Sequence, residues 1–600
     1  MSKTRYGPLP QFSESDSDID IFNARGGPPP SSPQRRLKSN SKRTLFIVLV
    51  LIVLVVTIAV TVALVKKSPG QQSVVKTNAG TFKGSKTVHD SNTVHSFYGI
   101  PYAEPPVGER RWKPPVPKAK LRDTFTSNNA DVMCIQYPPN HFGKTAVEPS
   151  EDCLYLHIHT PTLDENANLP VFVWIHGGYL INGYAHMRGY NPHPRFTSEM
   201  NVVSVSVNYR LNAFGFLTLK EFWAKDISYG NYGLLDQIMA LQWVQSNIQK
   251  FGGNPDLVTV AGQSSGGTSI YALAASPLAD GLFKRGIPVS GSPYFPRDFT
   301  VAAKDNRIFI ERSRCRNFTT AKEIRECFYS LTPKEVIDSI PGTVYPNWAQ
   351  EDLQNFPTKD LFVGSLLVVD PVVLPVPANN VSVLTSLKHG VDLLIGTTAQ
   401  EPGIGPSKHF QSKEVLMEFL SNHTKPFGTL SIANISSSYE NLTTYVDSKV
   451  TAQFLYETII SDVRVTCPTN RLVKNFRKSA LRNNTYRYVS AWKPKRALTL
   501  MNGLIHITNA AHVTDAMALF GYEMADDHKM TESERNFMLT IRRVFKQFMV
   551  EGVVEGTKAG QTIVFNGDGD VVRLEDDYHQ KQCLMWDDPD NGFLPYAWIN

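Results

Sequence analysis

Cysteine is scarce in these 600 residues, six in all, and none stands in a CxxC or other metal-ligand spacing. Thiolate metal sites and dithiol redox chemistry therefore have no foothold. A charge bias over the bulk of the chain is also missing. The formal net charge is +6, yet residues 68–600 hold 51 basic and 51 acidic residues, so the excess belongs to the first 67. That distribution argues against a nucleic-acid partner, which would be met by basicity spread over the folded part. No internal repeat is evident, and low-complexity sequence is confined to the N-terminal tail.

The tail, residues 1–43, is rich in Ser, Pro, Gly and Arg and poor in large apolar side chains, a composition that predicts disorder. Its SESDSDID (13–20) and PPPSSP (28–33) segments read as phosphorylation or docking motifs, or simply as solvated leader. Residues 44–65, TLFIVLVLIVLVVTIAVTVALV, form an uncharged 22-residue run, long enough to span a bilayer as a helix. The run starts too late for a cleaved signal peptide and ends in Val65-Lys66-Lys67 rather than in small residues. Arg35, Arg36, Lys38, Lys42 and Arg43 precede it, against Lys66, Lys67 and Lys76 after it, which orients the tail to the cytoplasm. The even cysteine count beyond the run suits an oxidising compartment. Sequons at Asn317, Asn380, Asn422, Asn434, Asn441 and Asn483 fall on the same side. The expectation is a type II signal-anchor protein, in the plasma membrane or secretory pathway, with a stalk at 66–75 and a glycosylated ectodomain at 76–600.

Within 76–600, apolar β-rich runs alternate with helical patterns. LPVFVWIH (169–176) and VVSVSVNY (202–209) read as strands covered on both faces. GLLDQIMALQWVQSNIQKFGG (233–253) has helical apolar spacing and a Gly-Gly stop. LVTVAG (257–262) and VDLLIG (391–396) read as further strands, and 405–480 as mixed helix and loop covering the active site. Strand–helix alternation predicts an α/β fold with a central, mostly parallel sheet flanked by helices.

The chemistry concentrates at Gly262-Gln263-Ser264-Ser265-Gly266. An apolar strand running into G-x-S-x-G and then a helix is the sharp turn that exposes a serine hydroxyl to a base and a substrate. A serine nucleophile needs a base, and that base an orienting carboxylate. Glu401, just past the 391–396 strand, is placed as the acid. AAHVTDAMALFG offers His512 as the base, with His506 nearby as the competitor.

The text around these residues resembles the type B carboxylesterase and cholinesterase family of α/β-hydrolases. The matching segments are YGIPYAEPPVGERRWKPP (98–115), SEDCLYLHIHTP (150–161), VFVWIHGG (171–178), VNYRLNAFGFL (207–217), GNYGLLDQIMALQWVQSNIQKFGGNP (230–255) and GQSSGG (262–267). The resemblance runs over about 74–590. It implies an α/β-hydrolase fold with Ser264 as nucleophile, Glu401 as triad acid (Q-E-P where the family has D-E-G) and His512 as general base. It further implies disulfides Cys134–Cys153, Cys315–Cys327 and Cys467–Cys583, and an Arg210–Glu151 salt bridge. The substrate class is a small-molecule ester, with no metal and no cofactor.

Several positions depart from the family. The oxyanion loop, usually H-G-G-G, reads His176-Gly177-Gly178-Tyr179-Leu180. Donors from Gly178, Tyr179 and Ser265 survive, but Tyr179 would resist a backbone angle that only glycine adopts freely. Gln263 replaces a frequent glutamate, Ser265 an alanine, and Pro402 biases Glu401 to extended backbone. The Cys134–Cys153 segment lacks the tryptophan on which cholinesterases hold quaternary ammonium. Arg297, where the family often has an aromatic, reads as a contact for acidic acyl groups or as a solvated side chain. Two functions follow: an ester hydrolase, favoured by Ser264, and a non-catalytic adhesion or signalling protein of the neurotactin type, favoured by Tyr179. Either leaves room for a homodimer or a cell-surface protein partner.

Overall fold

The computed structural model describes residues 72–596, apart from 90, 130, 137–146, 224–228, 296, 342–354, 360–365, 378–389, 405–407, 429, 441–450, 479–483, 501–504, 523–528, 560, 567 and 575–576. The tail 1–43, the apolar run 44–65 and the sequons at Asn380, Asn441 and Asn483 lie outside the described residues. Among the described residues, no helix is long and apolar enough to cross a membrane.

One large sheet organises the chain. Its path is built from β1 (Ser73–Thr77), β2 (Gly80–His89), β3 (Asn92–Pro101), β4 (Tyr155–Thr160), β5 (Leu169–Ile175), β6 (Val203–Val207), β7 (Gly253–Gln263), β8 (Arg285–Val289), β9 (Asp392–Thr398), β10 (Thr485–Ser490), β11 (Thr562–Phe565) and β12 (Val571–Leu574). The spatial order is β1-β2-β3-β4-β6-β5-β7-β8-β9-β10-β11-β12, and Phe125–Thr126 adds a short strand beside β2. From β6 through β11 every neighbouring pair is parallel. From β1 to β6, and again at β11–β12, the pairs are antiparallel. The sheet is therefore mixed, not mostly parallel: hairpins extend the parallel centre at both margins. β1 also begins at Ser73, three residues inside the segment expected to be stalk.

The parallel centre is buried on both faces, as its unbroken apolar text requires. All five residues of β6 and all six of β10 are buried. The helix expected over 233–253 is α2 (Tyr232–Asn247) followed by a 3-10 turn, and Gly252 ends it at φ +81°. α3 (Ser265–Ala275) is buried at every position and packs on β7 and β8. α1 (Pro194–Met200), α5 (Cys467–Lys478) and α6 (Glu532–Glu551) pack on strands of the sheet, while α4 (Ala452–Ser461) packs against the Glu401–Ile404 turn.

The three disulfides are those implied by the resemblance: Cys134–Cys153, Cys315–Cys327 and Cys467–Cys583. The salt bridge is not. Arg210 pairs with the buried Asp236 of α2 at 2.7 Å, while Glu151 takes Arg111 in a two-pronged contact at 2.5 Å. Asp236 already sits at the start of a buried helix facing Arg210, and its second oxygen also accepts the Arg210 backbone N–H at 3.0 Å. Three sequons, Asn317, Asn422 and Asn434, are exposed.

Candidate active site

β7 ends at Gln263 and α3 begins at Ser265, leaving Ser264 alone to make the turn at φ +60°, ψ −129°. A non-glycine residue held there stores about 1–3 kcal/mol of backbone strain. Both flanking glycines are required by space. A Cβ on Gly266 would lie 2.1 Å from the Ile175 carbonyl oxygen, and one on Gly262 would lie 2.7 Å from it. The turn is held from the other side by the Ser264 N–H, which donates to the Val289 carbonyl at 2.8 Å. The first N–H groups of α3 have no acceptor within the helix and give this corner a partial positive charge.

Glu401 and His512 meet beside this turn. Glu401 follows β9 and is fully buried. One carboxylate oxygen accepts the Thr398 N–H at 2.7 Å and the Ser290 hydroxyl at 2.8 Å; the other lies 2.5 Å from His512 Nδ1. Glu401 opens a single 3-10 turn, Glu401–Ile404, where Pro402 had suggested extended backbone. The Ser461 hydroxyl of α4, accepting the Glu401 N–H at 2.8 Å, anchors that turn. His506, the competing histidine, is exposed on the short strand Ile505–Ile507, which packs against the Glu401–Ile404 turn.

Several supporting residues were not foreseen. Gln263 donates from Nε2 to the His512 carbonyl oxygen at 2.5 Å and accepts from the Tyr190 hydroxyl, so the residue next to Ser264 fastens the histidine loop. Asp515, three residues beyond His512, takes the Tyr488 hydroxyl at 2.9 Å and the Ala516 N–H at 2.8 Å. Burial and then the nearby Glu401 charge push its carboxyl up to about 7. The sequence marked Gln263 only as a departure from the family, and no spacing linked it to the His512 loop or marked Tyr190.

The loop His176–Leu180 approaches Ser264 from β5. His176 stacks on Tyr209 with ring centroids 4.5 Å apart, and burial pushes its imidazole down to about 4, so it is neutral. Gly178 lies at φ +117°, Tyr179 at +58° and Leu180 at +60°. Tyr179 thus occupies the left-handed region, at a cost of about 1–2 kcal/mol relative to ordinary backbone. Arg297 forms an ion pair with Asp305, which neutralises the charge proposed for acidic acyl groups. A cavity of about 690 Å³ between α1 and α6 is lined by none of Ser264, Glu401 or His512.

Comparison with known proteins agrees with this architecture. The carboxylesterase family model matches residues 71–572. Carboxylesterase 1F of Mus musculus is 34% identical over 365 residues, which cover 58% of this chain and 62% of that relative. Carboxylesterase 1D of Rattus norvegicus is 29% identical over 518 residues, covering 81% and 87% respectively. A solved PNB esterase superposes with a TM-score of 0.64 at 25% identity, over 85% of this chain and 99% of its own. The chain belongs to the carboxylesterase family of serine ester hydrolases.

Proposed function

We propose that this protein hydrolyses small-molecule carboxylic esters through an acyl-enzyme, with Ser264 as nucleophile, His512 as general base and Glu401 as the orienting acid. The observation that carries the reading is the 2.5 Å contact between His512 Nδ1 and a fully buried Glu401. It fixes the ring proton on Nδ1 and leaves Nε2 as the base. His512 Nε2 takes the Ser264 proton as Oγ adds to the ester carbonyl. The oxyanion forms against the backbone N–H groups of Gly178, Tyr179 and Ser265. Collapse expels the alcohol with a proton from His512, and water, activated by the same imidazole, releases the acid. Losing one oxyanion donor costs about 100- to 1,000-fold in such chemistry, so the geometry of Tyr179 matters.

The non-catalytic adhesion reading rests on Tyr179 alone. The direct test compares the full-length protein with its Ser264→Ala variant for labelling by a fluorophosphonate probe and hydrolysis of a short-chain nitrophenyl ester. Labelling and turnover confined to the wild type are expected. A folded wild type that does neither overturns the esterase reading in favour of adhesion.

The same proposal places residues 68–600 on the extracytoplasmic side, anchored by 44–65. Its support is the apolar run, three disulfides and the exposure of Asn317, Asn422 and Asn434. Glycosidase treatment of protein from secretory cells should reduce its apparent mass, and loss of Asn317, Asn422 and Asn434 should shrink that shift. An unglycosylated, carbonate-extractable protein would refute the topology.

A further inference from the structure

Three consecutive residues of the oxyanion loop carry positive φ, and only the first is glycine. Left-handed backbone at a β-substituted residue persists only when its surroundings hold it. Leu180, the residue that follows Tyr179, is held from both sides. Its carbonyl oxygen accepts the Asn212 N–H at 2.7 Å, and its own N–H donates to the Ser265 hydroxyl oxygen at 3.0 Å. Leu180 and Ser265 are both fully buried, so neither bond competes with water. At the loop's other end the Tyr209 hydroxyl donates to the His176 carbonyl at 2.8 Å, and the Ser265 hydroxyl acts on that same Tyr209 hydroxyl. Within the loop, the Ile181 and Asn182 N–H groups close a turn on the Gly178 carbonyl at 2.9 and 3.0 Å.

Ser265 therefore has two distinct connections to this corner. Its backbone N–H is one of the proposed oxyanion donors, while its side chain ties down the residue that follows Tyr179. An alanine at 265, the residue the family resemblance would supply, keeps the first and loses the second. A glycine at 179 would relax the loop and leave less for the side chain to do. Resting on the esterase reading above, we infer that Ser265 is a positioning residue whose hydroxyl latches Leu180 and so holds Tyr179 in its left-handed, donor-presenting conformation. The two departures from the family pattern, Tyr179 and Ser265, form one coupled pair.

The test is a double-mutant cycle on the full-length protein: wild type, Ser265→Ala, Tyr179→Gly and the double variant. Losing one buried hydrogen bond predicts that Ser265→Ala lowers kcat for a nitrophenyl ester about tenfold while KM stays within about twofold. The same variant should raise amide hydrogen exchange across 178–182 by a similar factor, read by mass spectrometry. Adding Tyr179→Gly to Ser265→Ala should recover most of both losses. Effects of the two changes that simply multiply, or an unchanged exchange rate in Ser265→Ala, overturn the coupling. If the wild type neither labels nor turns over, the esterase reading fails separately, and the exchange data alone still decide the latch. Should Ser265→Ala not fold, Ser265→Cys keeps the volume with a much weaker acceptor and gives the same comparison.

Discussion

Two sets of buried histidines differ in what their Nδ1 atoms meet. His512 has a buried carboxylate on Nδ1. His157 and His159 project from the same face of β4 and have none. His157 Nδ1 accepts the Gly99 N–H at 3.0 Å, and His159 Nδ1 meets the Ser96 hydroxyl at 2.9 Å. Tyr98 lies against both rings and against His186, at centroid distances of 5.8, 5.2 and 5.1 Å. Burial, reinforced by His186, pushes His157 down to about 3, and His159 is lowered for the same reasons with His157, His193 and His89 adding to the effect. Asp131 partly offsets burial at His186, whose own pKa remains lowered. Burial alone makes histidine an inert, neutral core residue. The role proposed for His512 depends instead on the carboxylate that faces its Nδ1.

Removing that carboxylate should break the contrast most severely. Glu401→Gln gives His512 a neutral amide in place of its counter-charge and permits the wrong tautomer, so kcat should fall on the order of 10⁴-fold. Steady-state kinetics with a nitrophenyl ester would show it; a loss of only a few-fold would strip Glu401 of its proposed role. The second test sharpens the inert half. A histidine whose folded pKa is lowered binds its proton more readily unfolded, so stability present above about pH 6.5 is lost as pH falls below it. His157 and His159 together should remove about 2 kcal/mol between pH 6.5 and 5.5. Asp515, raised by burial, acts in the opposite sense as pH falls below about 7. The quantity to measure is therefore the difference in pH slope between wild type and a His157→Gln/His159→Gln variant in urea denaturation. Parallel slopes would contradict neutral burial of the pair.

These contrasts also mark what the sequence could convey. Ser264 was proposed from a local pattern, G-x-S-x-G, whereas the choice of His512 over His506 came from the family resemblance and its A-x-H-x-x-D pattern. The central strands were legible because parallel strands buried on both faces read as unbroken apolar runs. β2 and β3 were not read as sheet, since their text mixes Ser, His, Lys and Thr with apolar residues, and the antiparallel margin went unseen with them. Arg210 was assigned to Glu151 through the family resemblance, but its partner is Asp236 on a helix 26 residues later. Long-range pairing among like candidates leaves no local trace. The Gln263–His512 bond, spanning 249 residues, left none either.

Arginine repeats the histidine contrast. Arg210 has Asp236, whereas Arg487 on β10 is fully buried with none of its three guanidinium nitrogens hydrogen-bonded among the described residues. Burial pushes its pKa down to about 10, so it remains charged at neutral pH. Replacing an unpaired buried charge with an apolar side chain of similar length should be stabilising by about 1–4 kcal/mol. Arg487→Met is expected to raise the thermal midpoint at constant heating rate, and a lower midpoint would show that the guanidinium has a stabilising role.

The smallest effect belongs to Gln263, which separates a carboxylate that helps His512 from one that would hinder it. Its Nε2 donates to the His512 carbonyl while its oxygen takes the Tyr190 hydroxyl, so the amide satisfies a donor and an acceptor at once. Gln263→Glu keeps the shape but sets an anionic oxygen against that carbonyl, loosening the histidine loop. Losing one buried hydrogen bond predicts a fall in kcat of about tenfold with little change in KM. Burial raises the pKa of such a carboxyl, and its protonated form regains one donor. The ratio of wild-type to variant kcat should therefore shrink as pH falls. A ratio independent of pH would mean that Gln263 only fills space, and that the histidine loop is held by the Glu401 contacts alone.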